Sequence, residues 1–459
     1  MTDALFVNAT LVTGERRGPG ALAVRDGRIA GLWQADRAED AAREAERAFP
    51  AAVRHDLGGK LLLAGGIDAH VHFREPGGTA KEDLVSGSEA ALKGGVTSFV
   101  DMPNTNPPTV SLAALRAKRE RAGAVRSHWG FHLGATNDNL AEIRAALEGE
   151  DAALFGGIKV FMGSSTGNLL VDRDAVLEEI FALRGKPVLI HSEDEGLIRA
   201  GLEAARQRYG DAIPFSAHPV IRSREACIRS TEKALDLAVR LGTRLHILHV
   251  STAEEAALIR QAKKSNPGIT AETSANYLWF SDKDYERLGG AVKCNPAVKT
   301  AADRDALLAA FADGTLDTLG SDHAPHLKEE KKRPYASCPS GIPSVRHALP
   351  VILTLARRHG IPLTRVAAAF SENIARILGI EGRGRLETGA FADLAVVDPD
   401  ESFRADGADY KCGWTPYEGE TLYGAVKYVC VDGRPVIEDG RPTADRHPGA
   451  PLVFHPFNR

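Results

Sequence analysis

From about residue 60 to about residue 375 the chain repeats one pattern, a short apolar run followed by a helix-like or loop-rich segment. The runs are KLLLAGGIDAHVH, TSFVDMP, SHWGFHLG, FGGIKVFM, PVLIHSED, RLHILHVS, ITAETSANYLWF and DTLGSDHAP. Between them lie SLAALRAKRERAG, NLAEIRAALEG, DAVLEEIFALRG, STEKALDLAVRLG, TAEEAALIRQAKK and DRDALLAAFADG. These carry apolar residues at three- and four-residue spacing, the mark of a helix with one buried face. Strands that alternate with helices predict a parallel sheet. Eight such units in so short a span fit a closed (β/α)8 barrel of the TIM type. The competing layout, an open doubly wound sheet, calls for a glycine-rich nucleotide loop directly after an early strand. Gly156-Gly157 precedes its strand instead.

The two ends of the chain have a different texture. ALFVNATLVTG and GALAVRDGRIAGLW near the start are strand-like, with Asp26-Gly27 as a hairpin turn. GRLETGAFADLAVVDPD and LYGAVKYVCVDGRPVIEDG near the end repeat that pattern, with turns at Asp432-Gly433 and Asp439-Gly440. We expect one small β-sandwich domain formed by both chain ends, in preference to two separate appendages. The division is then 1–58 and 381–459 for the small domain and 59–380 for the barrel. Residues 35–48, rich in Ala, Glu and Arg, read as a helix or a loop.

Composition narrows the function. The net charge of −4 and the lack of a basic tract argue against a nucleic-acid partner. The five cysteines, Cys227, Cys294, Cys338, Cys412 and Cys430, form no CxxC pair, so no disulfide framework is expected. The first residues lack the basic start and apolar run of a signal peptide, and no apolar stretch reaches the roughly 18 residues of a membrane span. The expected location is cytoplasmic, with no membrane partner.

Polar residues gather where the runs end, which is where a barrel keeps its chemistry. His70 and His72, two apart on a strand, point to one side and can share a metal. Lys159 lies in the fourth run, His191 ends the fifth, His249 ends the sixth and Asp322 the eighth. His246 and His249 differ by three and cannot both face inward from a regular strand, so His246 is read as a packed histidine. A cationic Lys159 beside metal ions would be repelled, whereas addition of CO2 gives a carbamate whose two oxygens can bridge two metals. The competing reading of Lys159 is a side chain snorkelling out of an apolar strand.

DAHVHFREPG at 68–77, DMPNTNP at 101–107, HSED at 191–194, KCNPAVK at 293–299 and GSDHAPH at 320–326 resemble the motifs of dihydroorotases, in the amidohydrolase superfamily. GAFADLAVVD at 389–398 resembles the small β domain of that superfamily. The resemblance implies a zinc-dependent cyclic amidohydrolase with two Zn2+ per chain. His70, His72 and Asp322 would hold one ion and His191 and His249 the other, with carboxylated Lys159 and a hydroxide bridging them. The implied reaction is reversible hydrolysis of (S)-dihydroorotate to N-carbamoyl-L-aspartate, a step of pyrimidine synthesis, with Asp322 as general acid and base. Arg74 and Asn104 are expected to clamp the substrate carboxylate, since a guanidinium fork matches it. His326 is similar to a family histidine that meets the same carboxylate, and Asn295 to one that reads the ring edge. SCPSGIPS at 337–344 resembles the stretch that closes over substrate. The alternative for Arg74 is a surface pair with Glu75. The chain departs from relatives at Asn276, where a histidine is frequent, and at Lys299, where an arginine is. Two further functions stay open: another cyclic amidohydrolase, allantoinase- or dihydropyrimidinase-like, and a non-catalytic partner protein. A homodimer and an association with aspartate transcarbamoylase are the partner states left open.

Overall fold

The computed structural model describes residues 3–164 and 169–457. The middle of the chain forms a barrel of short parallel strands. We number them β1 (Gly66–Val71), β2 (Val96–Asp101), β3 (His128–Phe131, resuming at Leu133–Gly134), β4 (Ile158–Phe161), β5 (Val188–His191), β6 (Leu245–Ile247), β7 (Thr270–Ser274) and β8 (Thr318–Gly320). Two hydrogen-bonded pieces make up the wall, β1-β2-β3 and a second running from Leu133–Gly134 through β8. The third strand joins them by changing partners at His132: Phe131 pairs with Asp101 of β2, and Gly134 with Lys159 of β4. The far seam closes where Val71 bridges His323 and the His72 amide donates to the His323 carbonyl. All eight apolar runs of the sequence therefore hold barrel strands.

The intervening helices form where local signals place them. Helix Ala253–Ser265 starts at Thr252, whose hydroxyl accepts the Glu255 amide while Glu255 reaches back to the Thr252 amide. That reciprocal cap satisfies two amides that no helical carbonyl can reach. Helix Arg224–Leu241 is capped by Ser223 and stops at Gly242, which takes a left-handed backbone. The stretch at 35–48 is a helix over Ala38–Ala48, burying Ala41, Ala42 and Ala45 against the small domain.

Both chain ends build one mixed nine-stranded sheet. Its centre is the parallel pair of Ala4–Val12 with Leu61–Ala64, and Leu61–Ala64 in turn pairs antiparallel with Leu394–Arg404. The chain passes from this sheet into β1 at Gly65-Gly66. A Cβ on Gly65 would overlap Thr97, and one on Gly66 would overlap the Phe370 ring. A last segment returns beneath the barrel. The Trp129 amide donates to Ala450 O, and the Lys186 ammonium donates to Phe454 O. Phe454 is fully buried beside Ile67, Ala69 and Val100 at the bottom of the barrel.

Candidate metal centre and active site

His70, His72, Lys159, His191, His249 and Asp322 converge inside the upper end of the barrel, and all six are buried. Strand alternation turns His70 and His72 to the same side, and their ring centroids lie 5.5 Å apart. Asp322, just beyond β8, brings Oδ1 to 3.3 Å from His70 Nε2 and 3.4 Å from His72 Nε2. The far nitrogens of both rings are already engaged. His70 Nδ1 donates to Glu272 Oε1 at 2.6 Å, and His72 Nδ1 donates to Asn104 Oδ1 at 2.7 Å. In its neutral form each ring presents an Nε2 lone pair to a carboxylate oxygen, three acceptors facing one another; at His70 burial is outweighed by the Glu272 and Asp322 carboxylates, which hold the ring above the usual imidazole range. Separations of 3.3–3.4 Å match neighbouring ligands on one ion with bonds of roughly 2.0–2.1 Å. These donors fit a divalent metal.

The second group is His191 and His249. His191 Nε2 donates to Glu193 Oε2 at 2.9 Å, which leaves Nδ1 facing His249 Nε2, also at 2.9 Å. His249 Nδ1 is buried with no partner among the described residues. Glu193 is held in turn by Arg222, an ion pair with no exposure at the carboxylate. Burial keeps the His191 and His249 rings below the usual imidazole range and brings His72 down to about 4. They are thus neutral near pH 7, the form that binds metal.

Lys159 sits between the two groups on β4, two register pairs below His191. Its side chain is almost completely buried. Burial lowers its ammonium to about 7, opposed by the carboxylates of Asp322 and Glu272. It points inward over the Phe161 ring rather than snorkelling out. His246 is packed as its spacing suggested, with Nδ1 on the Thr270 hydroxyl at 2.9 Å.

Three residues of this site have left-handed backbones: Arg74 at φ 63°, His249 at φ 39° and Asp322 at φ 48°. Such strain persists only where surroundings over-determine it, and it concentrates at functional sites. Around Asp322, Ser321 supplies much of the restraint. Its amide donates to Asp68 Oδ1, and its carbonyl accepts from the Ser344 hydroxyl at 2.7 Å.

Arg74 is partly buried at the mouth, and Glu75 turns away from it to accept the Leu84 amide. The surface pair Arg74–Glu75 does not form. Arg74 Nε donates to Pro325 O at 3.0 Å, and Nη2 lies 3.2 Å from His326 Nε2. His326 Nδ1 accepts from the Lys81 ammonium at 2.9 Å, so the proton is on Nε2, which donates to Ser340 O at 3.0 Å. Arg74 Nη2 gains no acceptor from this ring and keeps donors for a ligand. Asn295 Oδ1 is buried with no partner among the described residues. Gly341, inside the 337–344 stretch, has φ 143°, and a Cβ there would overlap the Ala324 carbonyl.

Glu272 and Glu193 are absent from the sequence-based site. Their signal was a carboxylate in an apolar strand, AETS, and one directly after a ligand strand, HSED. A further acceptor cluster, His128, Asp393 and Asp432, lies where the barrel meets the small sheet. Arg383 Nη1 is 2.6 Å from Asp393 Oδ2 and 2.8 Å from Asp432 Oδ1, so the protein supplies that cation itself.

The model of the Amidohydrolase family matches residues 61–436, which spans the barrel and, from the small sheet, Leu61–Ala64, Leu394–Arg404 and Thr421–Val431. The chain belongs to the amidohydrolase family. A dihydroorotase of Methanosarcina acetivorans is 37% identical over 377 residues, 79% of each chain. An allantoinase of Streptomyces avermitilis is 34% identical over 453 residues, 96% of this chain and 97% of that one. Among solved structures, the L-hydantoinase (dihydropyrimidinase) of Arthrobacter aurescens superimposes with TM-score 0.90 at 28% identity, covering 99% of this chain and all of that one. The protein is a metal-dependent cyclic amidohydrolase, with buried donors for a binuclear centre. No helix among the described residues is long and apolar enough to cross a membrane.

Proposed function

We propose that this amidohydrolase opens the ring of dihydroorotate to N-carbamoyl-L-aspartate and closes it again, as a dihydroorotase. The observation that carries the substrate is Arg74. It is a cation at the pocket mouth with no carboxylate partner among the described residues and with donors left over, which suits an anionic substituent on the ring. His326 stands against Arg74, and Asn104, whose Oδ1 accepts from His72 Nδ1, is the neighbour proposed for the same carboxylate. The bare Asn295 Oδ1 suits a ring N–H.

His70, His72 and Asp322 would hold one zinc and His191 and His249 the other, with Lys159 as a bridging carbamate. An amine brought to about 7 is neutral in about half of the molecules near pH 7, and the neutral amine is what adds to CO2. Its nitrogen bonds the carbon of CO2 and releases one proton. Two such ions lower the pKa of a water and polarise an amide carbonyl. Asp322 then takes the proton of the attacking water and returns it to the ring nitrogen as the C–N bond breaks. Burial holds His72 at about 4 and His249 well below the usual imidazole range, so near pH 7 those rings carry no competing proton.

A second reading, a cyclic ureide such as allantoin or a hydantoin, is favoured by the allantoinases that match over nearly the whole chain. Steady-state turnover of dihydroorotate, dihydrouracil, hydantoin and allantoin separates the two. The dihydroorotase reading expects the highest kcat/KM on dihydroorotate. A higher value on allantoin or hydantoin overturns it. Full metal content with no turnover of any of the four would make the protein a non-catalytic relative.

A further inference from the structure

The small domain sends one excursion back over the barrel, between Leu394–Arg404 and Thr421–Val431. At its tip Tyr417 is fully buried and stacks on Phe280, 5.1 Å between ring centroids. Its hydroxyl donates to Asn276 Oδ1 at 2.7 Å. Asn276 follows β7, is itself buried, and its Nδ2 donates to Ser321 O at 3.3 Å. The phenol needs an acceptor and takes the Asn276 oxygen, which turns the amide NH2 to the Ser321 carbonyl as a second donor beside the Ser344 hydroxyl. Ser321 directly precedes Asp322, whose left-handed backbone must be held in place by its neighbours.

We infer that Tyr417 is a positioning residue for the reaction, acting through the Asn276 amide and the Ser321 carbonyl to hold the Asp322 carboxylate in its working geometry. The inference rests on the assignment of Asp322 as metal ligand and proton carrier, but not on which ring is the substrate. The chemistry of the pair explains why a neutral amide serves at 276. It can accept from a phenol and donate to a carbonyl at once, and it adds no charge beside the metal donors. The excursion makes a parallel contact nearby, where Trp414 Nε1 donates to His326 O at 2.7 Å. The small domain thus touches both the metal side and the substrate side of the pocket.

Two isosteric variants cut the relay at its two ends. Tyr417→Phe keeps the ring packing and loses the donor. Asn276→Leu keeps the volume, adds no charge and loses the donor to Ser321 O. The protein is reconstituted with Co2+, whose visible absorption reports the ligand field, and cobalt loss to a chelator is followed with time. Each variant should lower kcat about tenfold with KM within about twofold, the order expected when one buried hydrogen bond is lost. Each should also change the cobalt band and speed cobalt loss by about tenfold. The double variant should be little worse than either single one, because the two residues act as a unit. If Tyr417→Phe keeps the wild-type cobalt spectrum and kcat while only its melting temperature falls, Tyr417 is packing and the inference is overturned. Additive effects in the double variant overturn the relay as well. The cobalt readout needs no substrate, so failure of the dihydroorotate assignment leaves it intact and distinguishable.

Discussion

Glu272→Gln changes one carboxylate oxygen into an amide nitrogen deep in the barrel. Burial pushes the Glu272 carboxyl up, but the His70 ring beside it brings it down to about 2, so it is ionised at neutral pH. It accepts His70 Nδ1–H at 2.6 Å and the His249 amide at 3.3 Å, touching one ligand of each ion. Gly320 leaves room for it, because a Cβ there would overlap the carboxylate. Glutamine has the same shape and retains an acceptor, so the fold should survive. What goes is the charge that makes His70 a stronger base and fixes its tautomer. Hydrogen bonds to charged groups are worth about 1.5–3 kcal/mol. Loss of such an orienting partner typically weakens a metal about 10- to 100-fold, equal to about 1.4–2.8 kcal/mol. Competition titration of zinc against a chromophoric chelator should therefore show that weakening, with both ions affected because Glu272 meets both groups. Saturating zinc should restore most of the turnover. A zinc affinity unchanged within about twofold refutes the reasoning, since His70 would then need no anionic partner.

Four further outcomes follow from the same geometry. Elemental analysis of protein purified without chelator should give close to two metal ions per chain, and one ion with full activity would defeat the binuclear assignment. Arg74→Leu should lower kcat/KM for dihydroorotate by about 100-fold or more at unchanged metal content, the worth of about 2.7 kcal/mol of charge-assisted contact; a variant equal to wild type would make Arg74 a bystander. Lys159→Ala should lose one ion and nearly all turnover, and short carboxylic acids should restore part of it; a plain amine in an experimental map with both metals present would end the carbamate proposal. For Glu193, burial pushes the carboxyl up but Arg222 and His191 hold it below the ordinary range, so the stability it contributes is complete above about pH 4.5 and is lost as pH falls. Thermal melts from about pH 6 down to about pH 3 should fall for the wild type and fall less steeply for Glu193→Gln; parallel curves would show that the pair does not act in this way.

The sequence carried the frame of this molecule because its signals there are local. Strand–helix alternation and the histidines at strand ends are read within a few residues, and the structure brings the six proposed ligands together. What escaped were partners joined only by folding. Glu272 meets His70 across the barrel interior, and no spacing in the chain foretells that contact. Glu75 is adjacent to Arg74 in sequence yet faces the Leu84 amide, because the left-handed turn at Arg74 sends the two side chains apart. Tyr417 was invisible for the same reason, lying in a segment that reads as a loop between two strands. The helix at 38–48 was ambiguous since its apolar face is built of alanines, which carry little pattern until Trp33 and Phe49 pack beside them.

The segment under the barrel has a consequence for how the molecule is made. Ile67 and Phe454 share one cluster of buried side chains although they lie near opposite ends of the sequence. Contacts of such separation close late, after the entropy of a very long loop has been lost. Until Leu452 and Phe454 arrive, the floor cluster of Ile67, Ala69, Val100, Ile374 and Ile377 lacks its last two apolar members. A chain growing from its N-terminus then carries a nearly finished barrel with an apolar opening, a species prone to stick to its neighbours. Shortening the protein before Leu452 should accordingly harm yield and solubility far more than it harms the chemistry of the surviving folded molecules, whose metal donors lie at the other end of the barrel.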